Sequence, residues 1–249
     1  MGNTLDYTFF GEAVRAFTTR RTLGRDRDSL CQMLRIDDAH LIIPHQTHQD
    51  CVRVIDEALI ALPDPEKKAA LEGVDAVISN VRGTCIGVIT ADCIPVLLYD
   101  AEHCAVAAVH AGWRGTVKRI VQKAVAAMTA AYATRSEALK AVIGPGISMK
   151  NFEVGDEVYE EFRSAGFPME TMARRYPTKL DSTVEKWHLD IVECNSLQLL
   201  DAGLTPQSIH VEAVCTYDNN DQFFSARREQ VGTVKCGRNF NAIIIKNND

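Results

Sequence analysis

Two short stretches of this chain hold side chains that could do chemistry together: Thr90-Ala91-Asp92-Cys93-Ile94-Pro95 and, a few residues on, Val106-Ala107-Ala108-Val109-His110. A thiol and an imidazole on neighbouring strands can bind one metal ion or act as a nucleophile and its base. With Asp100-Ala101-Glu102-His103 as the turn, Tyr99 pairs with Cys104 and Cys93 falls directly opposite His110. Directly opposed residues share a face, with Cβ atoms about 4.5–5.5 Å apart. A zinc ion with Zn–S near 2.3 Å and Zn–N near 2.0–2.1 Å needs donors at about that spacing. Pro95 is tolerated near a strand start, where its missing N–H costs no ladder bond. The plainer reading is a core thiol beside a hydrogen-bonded histidine. Asp92 has three candidate roles: anchor for a ligand histidine, general acid–base, or an Asx turn. His45 and His48 stand three apart after Pro44, which favours a loop, and either could complete the set. Seven histidines with no His-x-His pair are too few for a multicopper cluster.

The elements that must position these residues are short. Ala76 to Ser79, Cys85 to Thr90, Ile94 to Tyr99 and Cys104 to His110 are β-branched runs that read as strands. Ala13 to Thr18, Val52 to Ile55, Val142 to Ile143, Ile209 to Cys215 and Ala242 to Ile245 read the same way. Gly112-Trp113-Arg114-Gly115-Thr116 opens a helix whose apolar positions run from Val117 through Ile120, Val121, Ala124 and Met128 to Ala131 at helical spacing. Further helices are expected around Ser29 to Leu34, over Gly155 to Arg163 and over Leu189 to Ala202, the last stopped by Gly203 and Pro206. Asp64 to Gly73 reads as polar and turn-rich, and residues 166 to 187 as irregular. Strands joined by short turns imply antiparallel pairing and an α+β fold.

The 249 residues suffice for one domain, 1–249, with a full core. Hydrophobic residues are 46% and charged residues 24%, as in ordinary soluble proteins. A net charge of −6 argues against nucleic acid as a partner, since a phosphate backbone wants a basic face. Apolar stretches are too short for a membrane helix, and the start carries no signal-peptide pattern. Eight cysteines scattered through strand-like runs, Cys236 among them, with no CxxC pair, read as buried free thiols of a reducing, cytoplasmic compartment.

These motifs, with Gln46-Thr47-His48, His110-Ala111-Gly112-Trp113-Arg114-Gly115-Thr116, Ile143-Gly144-Pro145-Gly146-Ile147, Phe152-Glu153-Val154-Gly155, Leu189-Asp190, Cys215-Thr216 and Phe224-Ser225-Ala226-Arg227-Arg228, occur in an order that resembles the laccase-domain (YfiH-type) family. That family was once called polyphenol oxidases and is now regarded as purine nucleoside phosphorylases with adenosine deaminase activity. The likeness runs from about residue 40 to residue 245. It implies a zinc site of His48, Cys93 and His110, selecting His48 over His45. It also implies two packed mixed sheets flanked by helices, with adenosine, inosine and methylthioadenosine as substrates and inorganic phosphate as co-substrate. Asn151 and Phe152 depart from the cysteine and tyrosine the family often carries there.

Three protein ligands leave a fourth zinc position open, which suits catalysis. On this reading Asp92 is the first candidate proton shuttle and Asp75 the second. Arg114 opens a helix N-terminus suited to an anion, and Arg227 and Arg228 form a candidate phosphate clamp. Trp113 or Phe152 could stack on the base, with core packing as the plainer role. The rivals are a Cys–His hydrolase with Cys93 as nucleophile, a copper phenol oxidase and a non-enzymatic metal-binding module.

Overall fold

The computed structural model describes residues 2–177, 183–230, 232 and 237–247, so Cys236 lies outside the described residues. The other seven cysteines are free thiols. Chain order begins with β1 (Thr4–Asp6), β2 (Val14–Thr19), α1 (Arg27–Leu34), β3 (Leu41–Ile42), β4 (Val52–Ile55), α2 (Glu57–Ile60), α3 (Asp64–Ala70), β5 (Ala76–Ser79), β6 (Cys85–Thr90), β7 (Ile94–Asp100) and β8 (Ala105–Ala111). It continues with α4 (Trp113–Val117), α5 (Ile120–Tyr132), β9 (Lys140–Ile143), β10 (Glu153–Val154), α6 (Asp156–Ser164), α7 (Met169–Met172), β11 (Ala173–Pro177) and β12 (Glu185–Leu189), and ends with α8 (Ile191–Asp201), β13 (Ile209–Val211), α9 (Ala226–Gln230) and β14 (Asn239–Ile245).

Two large sheets stack face to face. One has the order β1-β2-β14-β6-β3, the other β13-β9-β7-β8-β5-β4. Alternation along the strands assigns each side chain to a layer. Val77, Leu97, Val106 and Ala108 of the six-stranded sheet meet Ala16, Ile86, Val88 and Ile243 of the five-stranded sheet. The opposite face of the six-stranded sheet, with Ile78, Val96, Leu98 and Val109, packs on Ile120, Ala124 and Met128 of α5 and Leu199 of α8. The outer face of the five-stranded sheet buries Phe17 and Phe240 under Leu30 of α1. Strands covered on both faces read as unbroken apolar runs, which is why β7 and β8 stand out in the sequence. Among the described residues, no helix is long and apolar enough to cross a membrane.

The α+β expectation holds, and both large sheets are mixed as the family resemblance implied, since β3–β6, β4–β5 and β9–β13 pair in parallel. A third sheet, β10-β12-β11, occupies much of the segment read as irregular. Asp64 to Ala70 is a helix, with Pro65 in its first turn, acids ahead of it and lysines behind, a pattern that suits the helix dipole. The long helix after Gly112 is broken. Arg119 takes a left-handed conformation (φ 62°), and its guanidinium lies 3.7 Å from the Phe167 ring centroid and donates to the Ala165 carbonyl. The β7–β8 register also differs: Tyr99 pairs with Val106, and Pro95, not Cys93, lies opposite His110. The turn begins after Asp100, whose carboxylate accepts the backbone N–H groups of Glu102 and His103 and so caps the strand end.

Candidate metal centre

His48, Cys93 and His110 converge, with one potential ligand atom from each lying within 4.8 Å of the others. Three separate elements bring them together. His110 is the penultimate residue of β8. Cys93 sits in the bend between β6 and β7, where Asp92 adopts φ 81°. Because the register is displaced by two residues, Cys93 is diagonal to His110 rather than opposite it, and an even displacement keeps the face unchanged. His48 lies on the loop after β3 with φ 61°.

One buried carboxylate holds that loop. Asp75 Oδ2 accepts the N–H groups of Thr47 and Gln49 at 3.2 and 2.9 Å. Its Oδ1 accepts the N–H of His48 at 3.0 Å and the Nδ1–H of His110 at 2.7 Å. The His110 bond fixes the tautomer and leaves Nε2 for a metal. Gln46 completes the clamp: its amide donates to the Ile89 carbonyl and accepts from the Ile89 N–H, at 2.8 and 2.7 Å. His45 faces elsewhere and pairs with Glu72 at 2.7 Å, so the structure brings His48, not His45, to the cluster.

The electrostatics favour ligand forms. Burial pushes the Cys93 thiol up, but the imidazoles of His110 and His48 outweigh it and hold the thiol well below its usual range. Burial alone would raise the Asp75 carboxyl too, yet its bonds from His110 and the loop N–H groups hold it below the usual range. A prediction follows for metal-stripped protein. The rate of Cys93 alkylation by iodoacetamide, read by peptide mass spectrometry, reaches half its maximum below pH 8.5, the midpoint of an ordinary cysteine, and His110→Ala moves that midpoint up. An unshifted midpoint contradicts the pairing.

Gly112 closes one side. A Cβ there would lie 3.2 Å from Cys93 Sγ, 3.3 Å from His48 Cδ2 and 3.6 Å from His110 Cε1. Its φ of −67° suits any residue, so the demand for glycine is purely steric. Gly112→Ala is expected to weaken metal binding by about tenfold, the scale of a disturbed outer shell, with little change in unfolding temperature. Chelator competition measures it, and unchanged affinity contradicts the steric argument. Two imidazoles and a thiolate, one imidazole anchored by a carboxylate, around a space that a methyl group would fill, fit a tetrahedral zinc ion with an open position.

The structure shows what the two candidate proton shuttles bond to. Asp75 accepts from His110, the anchoring geometry first considered for Asp92. Asp92 instead accepts from Thr216 Oγ1 at 2.6 Å, Ser225 Oγ at 3.0 Å and the Arg227 N–H at 2.7 Å. With these donors it ties the Cys93 bend to the start of α9. Arg227 donates to the Glu153 carbonyl at 2.9 Å, with its guanidinium 5.8 Å from the Phe152 ring centroid. Arg228 turns away to the Tyr217 carbonyl and ring, so the two arginines form no joint clamp. Arg114 is exposed and lies 4.2 Å over the Trp113 ring, and no carboxylate partner is found for it among the described residues. Phe152 packs partly into the core. Asp75, Gly112 and Gln46 acquire metal-site roles that the sequence reading missed. Only Asp75 had a visible signal, a lone charge opening a buried apolar run.

Two stacked mixed sheets carry a His–Cys–His cluster at a strand end, with His110 buried, Cys93 half-buried and His48 exposed, and together they define an α+β architecture with a candidate metal site. Residues 15–246 match the family described as multi-copper polyphenol oxidoreductase laccase, and the chain belongs to that family. It is 42% identical over 205 residues to a purine nucleoside phosphorylase of Bacteroides thetaiotaomicron, covering 82% of this chain and 73% of that protein. It is 39% identical over 244 residues to adenosine deaminase RL5 from an unknown prokaryotic organism, covering 98% and 87%. The crystal structure of YlmD from Geobacillus stearothermophilus shares the fold, with a TM-score of 0.81 and 24% identity over 97% of this chain and 94% of that one.

Proposed function

We propose that this chain is a zinc-dependent purine nucleoside enzyme. It cleaves adenosine, inosine and methylthioadenosine with inorganic phosphate, giving free base and ribose 1-phosphate or its methylthio counterpart, and it deaminates adenosine. The convergence of His48, Cys93 and His110 around an open position carries this reading, and relatives matched along most of the chain support the substrate class. Zinc suits the donor set better than copper. Of seven histidines only two join the cluster, too few for several copper ions.

When bound, the metal supplies Lewis acidity and polarises oxygen ligands at neutral pH. The protein's own residues bind and orient. In phosphorolysis the bond from the anomeric carbon to N9 breaks, a bond to a phosphate oxygen forms, and the base leaves with a proton. Arg114, without a carboxylate partner among the described residues, would meet phosphate; Arg227, fixed by Asp92 and Glu153, lies beside Phe152, whose ring is the candidate platform for the purine. In deamination water adds at C6 and ammonia leaves. Asp92 acts in both by positioning Cys93 and Arg227. A cytoplasmic setting accords with its free thiols.

Incubating zinc-loaded protein with adenosine, with and without phosphate, tests the proposal. Adenine appearing only with phosphate is the expected sign of phosphorolysis, and inosine without phosphate that of deamination. If neither forms, the proposal fails. One observation favours a second reading, a metal-free Cys–His hydrolase: Asp75, His110 and Cys93 line up as carboxylate, base and polarised thiol. Turnover that survives chelation and stops on alkylation of Cys93 selects it.

A further inference from the structure

A cavity of about 670 Å³ lies on the outer side of the five-stranded sheet, between β3, α3 and the segment leading into α1, and none of its lining residues belongs to the metal cluster. Its size falls in the range that holds small organic ligands, about 300–1,000 Å³. The floor is apolar. Ile43 and Ile89 present half-buried side chains there, and Leu71 closes one end. Two of its charged pairs are internally satisfied and act as walls. Arg27 is locked onto the Asp38 carboxylate and the Leu41 carbonyl, and His45 onto Glu72.

Three cations of the lining remain. Arg25, Lys67 and Lys68 reach the cavity from two different elements and have no hydrogen-bond or ion-pair partner among the described residues. The only other acid of the lining, Asp64, forms no ion pair with them. On a chain of net charge −6, the lining carries Arg25, Arg27, Lys67 and Lys68 against Asp38, Asp64 and Glu72, a small local excess of positive charge around an apolar floor. We infer that this cavity is a binding site, separate from the metal centre, for a small organic anion that has a flat apolar body and one phosphate or carboxylate group. The body rests on Ile43 and Ile89, and the anion faces Arg25, Lys67 and Lys68. The charge complementarity selects an anion, and the apolar floor selects against a bare inorganic one.

The wall of this cavity is continuous with the metal loop. His45 accepts from Gly73 and donates to Leu71 through its backbone, and two to four residues further on the N–H groups of Thr47, His48 and Gln49 converge on Asp75. An occupant therefore sits against the segment that fixes a metal ligand.

Calorimetric titration of the purified chain with adenosine 5′-monophosphate, adenosine and inorganic phosphate tests the inference. It is run on the parent, on Arg25→Glu/Lys67→Glu and on Cys93→Ser, and needs no turnover, so it stands or falls apart from the proposed reaction. Saturable binding of the monophosphate to the parent is expected, at least tenfold weaker in the double charge variant and unchanged in Cys93→Ser. Adenosine and phosphate alone should each bind at least tenfold more weakly than the monophosphate in Cys93→Ser. The inference is overturned if the monophosphate does not bind, if its binding is lost in Cys93→Ser but kept in the double variant, or if inorganic phosphate binds as well as the monophosphate.

Discussion

Cys93→Ser is expected to strip the protein of metal and of nucleoside turnover together. The substitution is nearly isosteric, but a hydroxyl does not ionise near neutral pH and cannot replace a thiolate ligand. Metal retained after dialysis falls from stoichiometric to trace. Turnover drops by about a thousandfold or more, at least about 4 kcal/mol of transition-state stabilisation. Cys93 lies in a bend between strands, outside the ladder, but serine also loses the thiolate's pairing with His110 and His48, so the metal-free variant should unfold somewhat below the metal-free parent at neutral pH. Elemental analysis and the adenosine assay decide the matter. A variant that keeps one ion per chain contradicts the ligand assignment. A parent that turns over fully without metal contradicts the need for it.

Asp75→Asn is expected to damage both metal binding and the fold. Each Asp75 oxygen accepts two hydrogen bonds, Oδ1 from His48 and His110 and Oδ2 from Thr47 and Gln49. Whichever way the amide is turned, its NH₂ faces two donors. Metal affinity should fall by about 10–100-fold, as when a ligand histidine loses its carboxylate. The metal-free protein should lose about 3 kcal/mol, the scale of a buried partner left unmatched. The pH dependence has a definite sign. The folded carboxyl titrates below its unfolded value, near 3.9. Its stabilisation is therefore present above about pH 4 and is lost as pH falls through the lower folded value. Denaturant unfolding of the metal-free proteins should show the gap between parent and Asp75→Asn narrowing in acid. Full metal affinity and stability with lost turnover would instead restore Asp75 as a proton shuttle.

Much of the site was legible because strand periodicity is. Two short apolar runs and a turn place Cys93 and His110 on one face whether the register is the expected one or the observed one. The two differ by an even number, and the side-chain period is two. Direct opposition was not legible, because a four-residue turn can start at Asp100 or one residue later. The Asp100 carboxylate, capping two N–H groups, selects the later start. Helix α3 was readable in principle from Pro65, Asp64, Glu66 and the lysines behind them, but its polar surface resembles a loop. The small third sheet was not readable. Arg174, Arg175 and Tyr176 of β11 are exposed and carry no apolar alternation.

By itself, then, the sequence determined the strands of the core, the shared face of Cys93 and His110 and, through its ordered motifs, the family and with it His48 as the candidate third member of the cluster. Those features depend on local periodicity or on residues near one another in the chain. Only the tertiary structure decided what each carboxylate does. Asp75 reaches backward 26 to 28 residues to three N–H groups and forward 35 to His110, while Asp92 reaches across more than 120 residues to Thr216, Ser225 and Arg227. A carboxylate's role follows from the donors the fold delivers to it, and donors so distant in sequence leave no local pattern beside it.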